Sequence, residues 1–136
     1  MKILCLLGLL CAAPALAQTT KMDTLQTYDF IVATDGSGDF HSVQDAIDAV
    51  PPLRKKRTRI FIKNGIYKEK LVLPPTAAEV TFVGENVEKT ILTFDDFASR
   101  QNRFGEEMGT SSSSSFFIFG DGFEARNITF ENSAGP

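Results

Sequence analysis

The stretch Phe116-Phe-Ile-Phe-Gly-Asp-Gly-Phe-Glu-Ala-Arg-Asn-Ile-Thr-Phe-Glu-Asn-Ser-Ala-Gly-Pro136 decides the fold of this chain. Its two apolar runs are separated by a Gly-Asp-Gly turn, which is the pattern of two short β-strands. Strands with no helix, cap or polar tail after them expose backbone groups that compact domains normally cover. We therefore expect the stretch to belong to a larger domain that continues beyond Pro136.

Similar short runs precede this stretch. They are rich in Ile, Val, Phe and Thr, and turn-forming Asn-Gly, Pro-Pro and Gly-Glu-Asn sequences separate them. The predicted strands span residues 30–33, 59–63, 70–73, 79–83, 90–94, 116–119 and 127–131.

One helix is predicted, from Ser42 to Val50. Its apolar residues recur at helical spacing, Ser42 with Asp45 resembles a capping box, and Pro51-Pro52 stops it. No second helix offers a crossover between parallel strands, so a doubly wound α/β sheet is disfavoured. The pattern leaves open an antiparallel sandwich and a parallel β-helix whose first coil is capped by the helix.

The first residues have the order of a secretory signal. A basic start, a short apolar run and Ala15-Leu16-Ala17 predict a signal peptide over residues 1–17, followed by a polar leader over 18–29. The apolar run is shorter than the ~20 residues that a membrane span needs. We expect an exported protein in the periplasm, cell wall or medium, with no membrane contact after cleavage.

Cleavage after residue 17 leaves 119 residues, 13 of them basic and 17 acidic, and removes both cysteines, Cys5 and Cys11. The mature chain therefore has no disulfide, thiolate metal site or cysteine nucleophile. Its mild acidity argues against nucleic acid as a partner.

Three local patterns suggest chemistry but have simpler interpretations. His41 adjoins the helix cap, and the chain contains no Gly-x-Ser-x-Gly elbow, so we interpret it as a surface group. The sequence from Asp35 to Asp39 lacks the spacing of a calcium loop or a P-loop, which favours a tight entry into the helix. Asn127-Ile-Thr129 matches a glycosylation acceptor but falls in a predicted strand.

Charged segments give weaker signals. The basic run from Arg54 to Arg57 is interpreted as a solvated loop rather than a contact for an acidic polymer. Residues 95–115 form either a flexible linker or a long loop projecting from one face, and the structured segments on both sides favour the loop. A carboxylate pair could do acid–base or nucleophilic work, although spacing alone does not bring two of them together. The candidate acids are Asp95, Asp96, Glu106, Glu107 and Asp121.

Several segments together resemble the pectin methylesterase (pectinesterase) family. The stretch from Val32 to Ile47 resembles the opening strand, turn and helix of that family, and Ile62-Lys-Asn-Gly-Ile-Tyr-Lys-Glu69 carries its Gly-x-Tyr-x-Glu signature. Phe82-Val-Gly-Glu85 and Thr90-Ile91 resemble the next strand pair, and the stretch from Gly120 to Pro136 is the most specific piece. The resemblance covers essentially the whole mature chain.

The resemblance implies an all-β fold, a right-handed parallel β-helix with one short N-terminal capping helix. Residues 30–136 would form the N-terminal coils of the catalytic domain, truncated at its C-terminal end. It also implies hydrolysis of the methyl esters of galacturonate units in pectin, by two aspartates, glutamine donors to the oxyanion and an arginine, with no metal or other cofactor. In the family these catalytic residues follow the motif that ends at Pro136, so we assign no catalytic residue and expect the chain alone to be inactive.

One substrate contact is implied within the chain. Gly109-Thr110-Ser111 matches a loop whose threonine holds the galacturonate chain in the family, so Thr110 and Ser111 are the predicted substrate-binding residues. Gly65, Tyr67 and Glu69 are expected to be structural. The expected partner is pectin, and the full-length protein is expected to be a monomer. Two alternatives remain, namely another β-helix pectin enzyme (a pectate lyase or polygalacturonase) and a non-catalytic pectin-binding module.

Overall fold

A computed structural model of the chain describes residues 27–135. The predicted signal peptide, both cysteines and most of the predicted polar leader therefore lie outside the described residues. Across residues 27–135 the elements are β1 (Phe30–Val32), α1 (Val43–Asp48), β2 (Thr58–Ile62), β3 (Gly65–Lys68), β4 (Leu71–Leu73), β5 (Val80–Gly84), β6 (Thr90–Phe94), α2 (Gly109–Ser112), β7 (Phe116–Ile118), β8 (Glu124–Arg126) and β9 (Thr129–Asn132).

The strands form three parallel sheets that the chain visits in turn. Sheet A has the order β1-β2-β5-β8, sheet B has β3-β6-β9, and sheet C has β4-β7. Every named strand pair is parallel, for example Ile60 with Phe82 in sheet A and Leu71 with Phe116 in sheet C. One coil therefore runs from A through B to C before the next coil stacks on it, which is a parallel β-helix and not the antiparallel sandwich.

The core is the inside of this coil. Alternate residues of β2 point inward, with Thr58, Ile60 and Ile62 all fully buried. Phe82 stacks above Ile60 and meets the ring of Phe123 edge-on at a centroid distance of 5.1 Å. The stacked interior therefore takes apolar residues from successive coils at the same height.

Helix α1 covers the first coil. Val43, Ala46 and Ile47 are buried on its inner face, as the periodicity predicts, and Ser42 is its N-cap, accepting a hydrogen bond from the Asp45 N–H at 3.1 Å. The structure also adds a second cap to α1, which the sequence patterns did not predict. Glu69 accepts from the N–H groups of Val43 and Gln44, both at 3.0 Å, so a carboxylate from the end of β3 supplements Ser42.

Most predicted strands are confirmed, with bounds shifted by a few residues. The sequence patterns did not predict β3, β8 or α2: β3 begins at a glycine, β8 is exposed throughout, and α2 is a single turn within a serine run. None of the helices in residues 27–135 is long and apolar enough to cross a membrane.

Candidate functional site

The 95–115 loop, which joins β6 to β7, is ordered. Gln101 and Glu107 form an antiparallel bridge, and the Met108 N–H donates to the Arg100 carbonyl at 2.9 Å. At its tip the Asn102 side chain accepts from the N–H groups of Phe104 and Glu106 at 2.8 and 3.1 Å, as in an Asx turn. The segment is therefore a projecting loop, as its flanking strands indicated, and not a linker.

The loop returns to sheet C through α2, which carries both predicted substrate-binding residues. Thr110 and Ser111 are exposed on this single turn. Their side-chain hydroxyls make no hydrogen bond to any other residue in the described range, whereas the neighbouring Ser112 and Ser113 hydroxyls bond to backbone carbonyls of the same turn. Thr110 and Ser111 thus keep their donors and acceptors available for a polar ligand.

The surface beside α2 is the outer face of sheet C. Lys70, just before β4, donates to the Ser112 carbonyl at 2.7 Å, and its ammonium lies 5.5 Å from the centre of the Phe117 ring. Phe117 in turn stacks on Phe119 with a centroid distance of 6.2 Å, and Phe119 is 57% exposed. Lys70 and two aromatic rings therefore lie beside α2 on this face.

The first two acids of the loop, Asp95 and Asp96, are each bound by cations. Asp95 accepts from Lys68 at 2.9 Å, and this hydrogen bond holds the pKa of the Asp95 carboxyl below its usual value. Asp96 is almost fully buried and is bound by Lys70 and by Arg100, the latter at 3.0 Å. Glu106 and Glu107 lie exposed on the hairpin. The geometry therefore gives Asp95 and Asp96 a structural role.

The arginines of the basic run from 54 to 57 are structural as well. Arg54 binds the Asp29 carboxylate at 2.7 Å. Burial raises the pKa of Asp29, but hydrogen bonds from Arg59 and Arg54 and the nearby positive charges outweigh this and lower it. Arg57 binds Glu79, the Thr81 hydroxyl and the Gly122 carbonyl, so it joins β5 to the turn before β8. Only the two lysines of the run are exposed.

The turn before α1 is internally satisfied. Asp35 accepts from both the N–H and the hydroxyl of Ser37, which lowers the pKa of Asp35, and Asp39 accepts from the Ile31 N–H at 2.8 Å. His41 is exposed beside the cap. These contacts agree with a tight entry into the helix.

The predicted position of Asn127 is wrong. Asn127 lies at an exposed bend between β8 and β9, with φ of 56°, and not within a strand. The bend turns the chain from sheet A to sheet B, and asparagine tolerates this left-handed conformation better than most residues.

The sequence patterns did not predict the groups that hold α2. Lys70, Asp96 and Arg100 are brought together from separate segments, and no local spacing indicates their contact. The one available signal was the position of Asp95 and Asp96 directly after a predicted strand.

The fold defines the chain as a parallel β-helix with a projecting loop and one exposed helical turn beside sheet C. The Pectinesterase family model matches residues 29–136. Pectinesterase 31 of Arabidopsis thaliana is 42% identical over 107 residues, 76% of this chain and 34% of that protein. The pectin methylesterase from carrot superposes with a TM-score of 0.69 at 37% identity, covering 81% of this chain and 33% of the carrot chain. A pectin methylesterase in complex with a hexasaccharide superposes with a TM-score of 0.68 at 28% identity, covering 75% of this chain and 30% of that chain.

The chain belongs to the pectinesterase family. The predicted fold class, a right-handed parallel β-helix, is confirmed by these structural relatives. The chain spans between 18% and 23% of the length of several curated plant relatives that it matches.

Proposed function

We propose that this chain forms the substrate-holding first coils of a pectin methylesterase, in which water hydrolyses galacturonate methyl esters of pectin to carboxylates and methanol. The family match across residues 29–136, at more than a third identity to several members, carries the proposal. The hexasaccharide in complex with a related pectin methylesterase supports an oligosaccharide ligand for this scaffold.

Thr110 and Ser111 are proposed to hold the galacturonate chain. Their exposed hydroxyls can donate to the carboxylate or ester oxygens of a uronate and accept from its ring hydroxyls. No residue of this chain is proposed to carry the bond-breaking step: Asp95 and Asp96 are occupied by Lys68, Lys70 and Arg100, and Glu106 and Glu107 are exposed on the hairpin.

The test is binding of a methyl-esterified hexagalacturonate by the full chain, measured by calorimetry. Thr110→Val keeps the side-chain volume but removes the hydroxyl, so it should weaken binding by about two- to thirteenfold, the value of one hydrogen bond of ~0.5–1.5 kcal/mol. Ser111→Ala should weaken binding in the same direction.

The matched control is Thr76→Val, at an exposed threonine in the turn after β4. It should leave the affinity unchanged. If the Thr110→Val chain bound the hexasaccharide as tightly as wild type, the assignment of Thr110 would be wrong.

The reaction itself is tested on the protein that contains this chain. Incubated with methylated pectin, it should release methanol without shortening the polymer. Unsaturated uronides would instead indicate a lyase, new reducing ends a polygalacturonase, and binding without any product a non-catalytic module.

We propose that the protein is secreted to a compartment where pectin is accessible, on the basis of the signal pattern over residues 1–17. Mass spectrometry of the exported protein should find Gln18 at its N-terminus. An N-terminus that retains Met1 in the exported fraction would contradict cleavage.

A further inference from the structure

The two ends of the 95–115 loop are held by one side chain. Lys70 binds the carboxylate of Asp96, the second residue of the loop, and donates to the carbonyl of Ser112, the last residue of α2, at 2.7 Å. The carbonyls at the end of a helix have no partner within it, and a cation there is favourable. Lys70 therefore fixes α2 to the start of its own loop.

Asp96 makes this arrangement specific. It is 4% exposed, and its carboxylate is bound by Lys70 and by Arg100, whose Nη1 is 3.0 Å away. The Asn132 side chain from the next coil donates to the Asp96 carbonyl at 3.1 Å. A buried carboxylate is costly unless it is paired, so Asp96 in turn restricts where the Lys70 ammonium can lie.

Arg100 extends the same network into the loop. Its guanidinium binds Asp96 while its own carbonyl accepts from the Met108 N–H at 2.9 Å. The Gly109 N–H donates to the Ala98 carbonyl at 2.8 Å. These backbone hydrogen bonds join the first part of the loop to the residues directly before Thr110. A loss of the contacts at Asp96 should therefore also loosen α2.

Lys68 offers a contrast two residues earlier. Across residues 27–135 its ion pair is with Asp95 alone, and the two side chains are 57% and 35% exposed. Exposed ion pairs contribute little to stability, and this one makes no contact with α2. Lys68 is therefore a matched control that has the same charge in the same segment.

We propose that Lys70, through its contacts with Asp96 and Ser112, is a positioning residue that holds α2 in the orientation from which Thr110 and Ser111 bind a galacturonate chain. The inference rests on the proposed function for the identity of the ligand. The contacts of Lys70 with Asp96 and Ser112, called the Lys70 clasp below, do not depend on the identity of the ligand.

The experiment compares wild type, Lys70→Met, Lys70→Arg and Lys68→Met as full chains. Hydrogen exchange of the Met108 and Gly109 amides is measured without ligand, with the Phe82 amide as internal reference. Affinity for methyl-esterified hexagalacturonate is then measured by calorimetry. Lys70→Met should speed exchange at Met108 and Gly109 by about tenfold or more while Phe82 stays protected.

Lys70→Met should also weaken hexagalacturonate binding by about fivefold or more, since α2 must then be ordered on binding. Lys70→Arg keeps the cation and should restore most of the affinity, and Lys68→Met should match wild type in both measurements. If Lys70→Met disrupts the fold, Lys70→Met/Asp96→Asn removes both charges and should show the same two effects in a folded chain.

Unchanged hydrogen exchange at Met108 and Gly109 in the folded Lys70 variant would show that the Lys70 clasp does not hold the loop. Faster exchange with unchanged affinity overturns the positioning role alone. A wild-type chain that binds no hexagalacturonate defeats the proposed function, and the positioning role with it, while the exchange data still decide whether Lys70 holds the loop.

Discussion

Tyr67 shows how a single residue of the Gly-x-Tyr-x-Glu signature supports the fold. It is 2% exposed, and its hydroxyl donates to the Lys63 carbonyl at 2.9 Å, inside the turn that leads from sheet A to sheet B. Burial raises the pKa of the Tyr67 phenol to about 12. The structural role that the sequence predicted for Tyr67 therefore keeps its phenol neutral over a wider pH range than usual.

Tyr67→Phe should make the chain less stable than wild type at neutral pH and more stable than wild type at alkaline pH. At pH 7 it loses one buried hydrogen bond and should be about 1 kcal/mol less stable than wild type. Because the folded-state pKa is raised, the stability due to the neutral phenol is present below pH 10 and is lost as pH rises from 10.0 toward about 12. A shift of this size corresponds to roughly 2–3 kcal/mol, so the phenylalanine variant should become the more stable one.

Urea unfolding of both chains at pH 7, 10 and 11.5 measures this crossover, and Tyr28→Phe serves as the control at the other tyrosine of the sequence. A stability difference that stays constant from pH 7 to 11.5 would contradict a buried, neutral phenol at position 67.

At the scale of elements, α1 depends on contacts that cross the coil. Besides the cap from Glu69, the Gln44 side chain accepts from the Val72 N–H at 2.8 Å and donates to the Val72 carbonyl at 3.1 Å. The amide of Gln44 thus replaces a neighbouring strand along the edge of β4, which otherwise would present unpaired backbone groups. A six-residue helix is short to be stable alone, and its tertiary contacts supply what propensity does not.

Glu69→Gln should destabilise the chain by about 1–2 kcal/mol. The carboxylate accepts two backbone hydrogen bonds at the start of α1, whereas an amide has one acceptor oxygen and places an NH₂ group against the second N–H. The midpoint of urea unfolding at pH 7 measures the effect. Glu88→Gln, at an exposed residue, is the control and should leave the midpoint unchanged; equal midpoints for all three chains would mean that Ser42 alone caps the helix.

At the scale of the whole molecule, the sequence predicted the strands better than it predicted their pairing. Apolar runs such as 59–63 and 90–94 mark buried strands directly, because each places alternate residues in the core. Strand β8 is exposed throughout and so carries no such pattern. Whether the sheets are parallel depends on contacts between residues 22 or more apart, as between Ile60 and Phe82, and only the family resemblance pointed to that.

The candidate site was predicted only in part, because its ligand-binding residues were named but the residues that hold them were not. Thr110 and Ser111 came from the resemblance alone, since a serine-rich run is typical of any hydrophilic loop. The groups that hold them, Lys70 and Asp96, lie 26 residues apart and meet only because successive coils stack. A local pattern contains no information about that contact.

The stacking of coils predicts that, of two aromatic residues in the same cluster, Phe82 is more costly to truncate than Phe130. Phe82 is fully buried between Ile60 below and the strand of Ala125 above, and its ring meets those of Phe116 and Phe123. Phe130 packs on the same cluster through Phe116 but is 46% exposed. Phe82→Ala should therefore cost about 3–5 kcal/mol, as for other buried aromatic residues, and Phe130→Ala about 1 kcal/mol.

The same comparison tests whether the coils unfold together. In a solenoid each coil is stabilised mainly by its neighbours, so a cavity in a middle layer weakens the interfaces on both sides, whereas a change in an outer layer weakens one. Thermal unfolding followed by circular dichroism should show a lower midpoint and a broader transition for Phe82→Ala, and a wild-type width for Phe130→Ala. If the two variants lost equal stability, Phe82 would not occupy an interior layer, and the stacking of β2, β5 and β8 in sheet A would have to be revised.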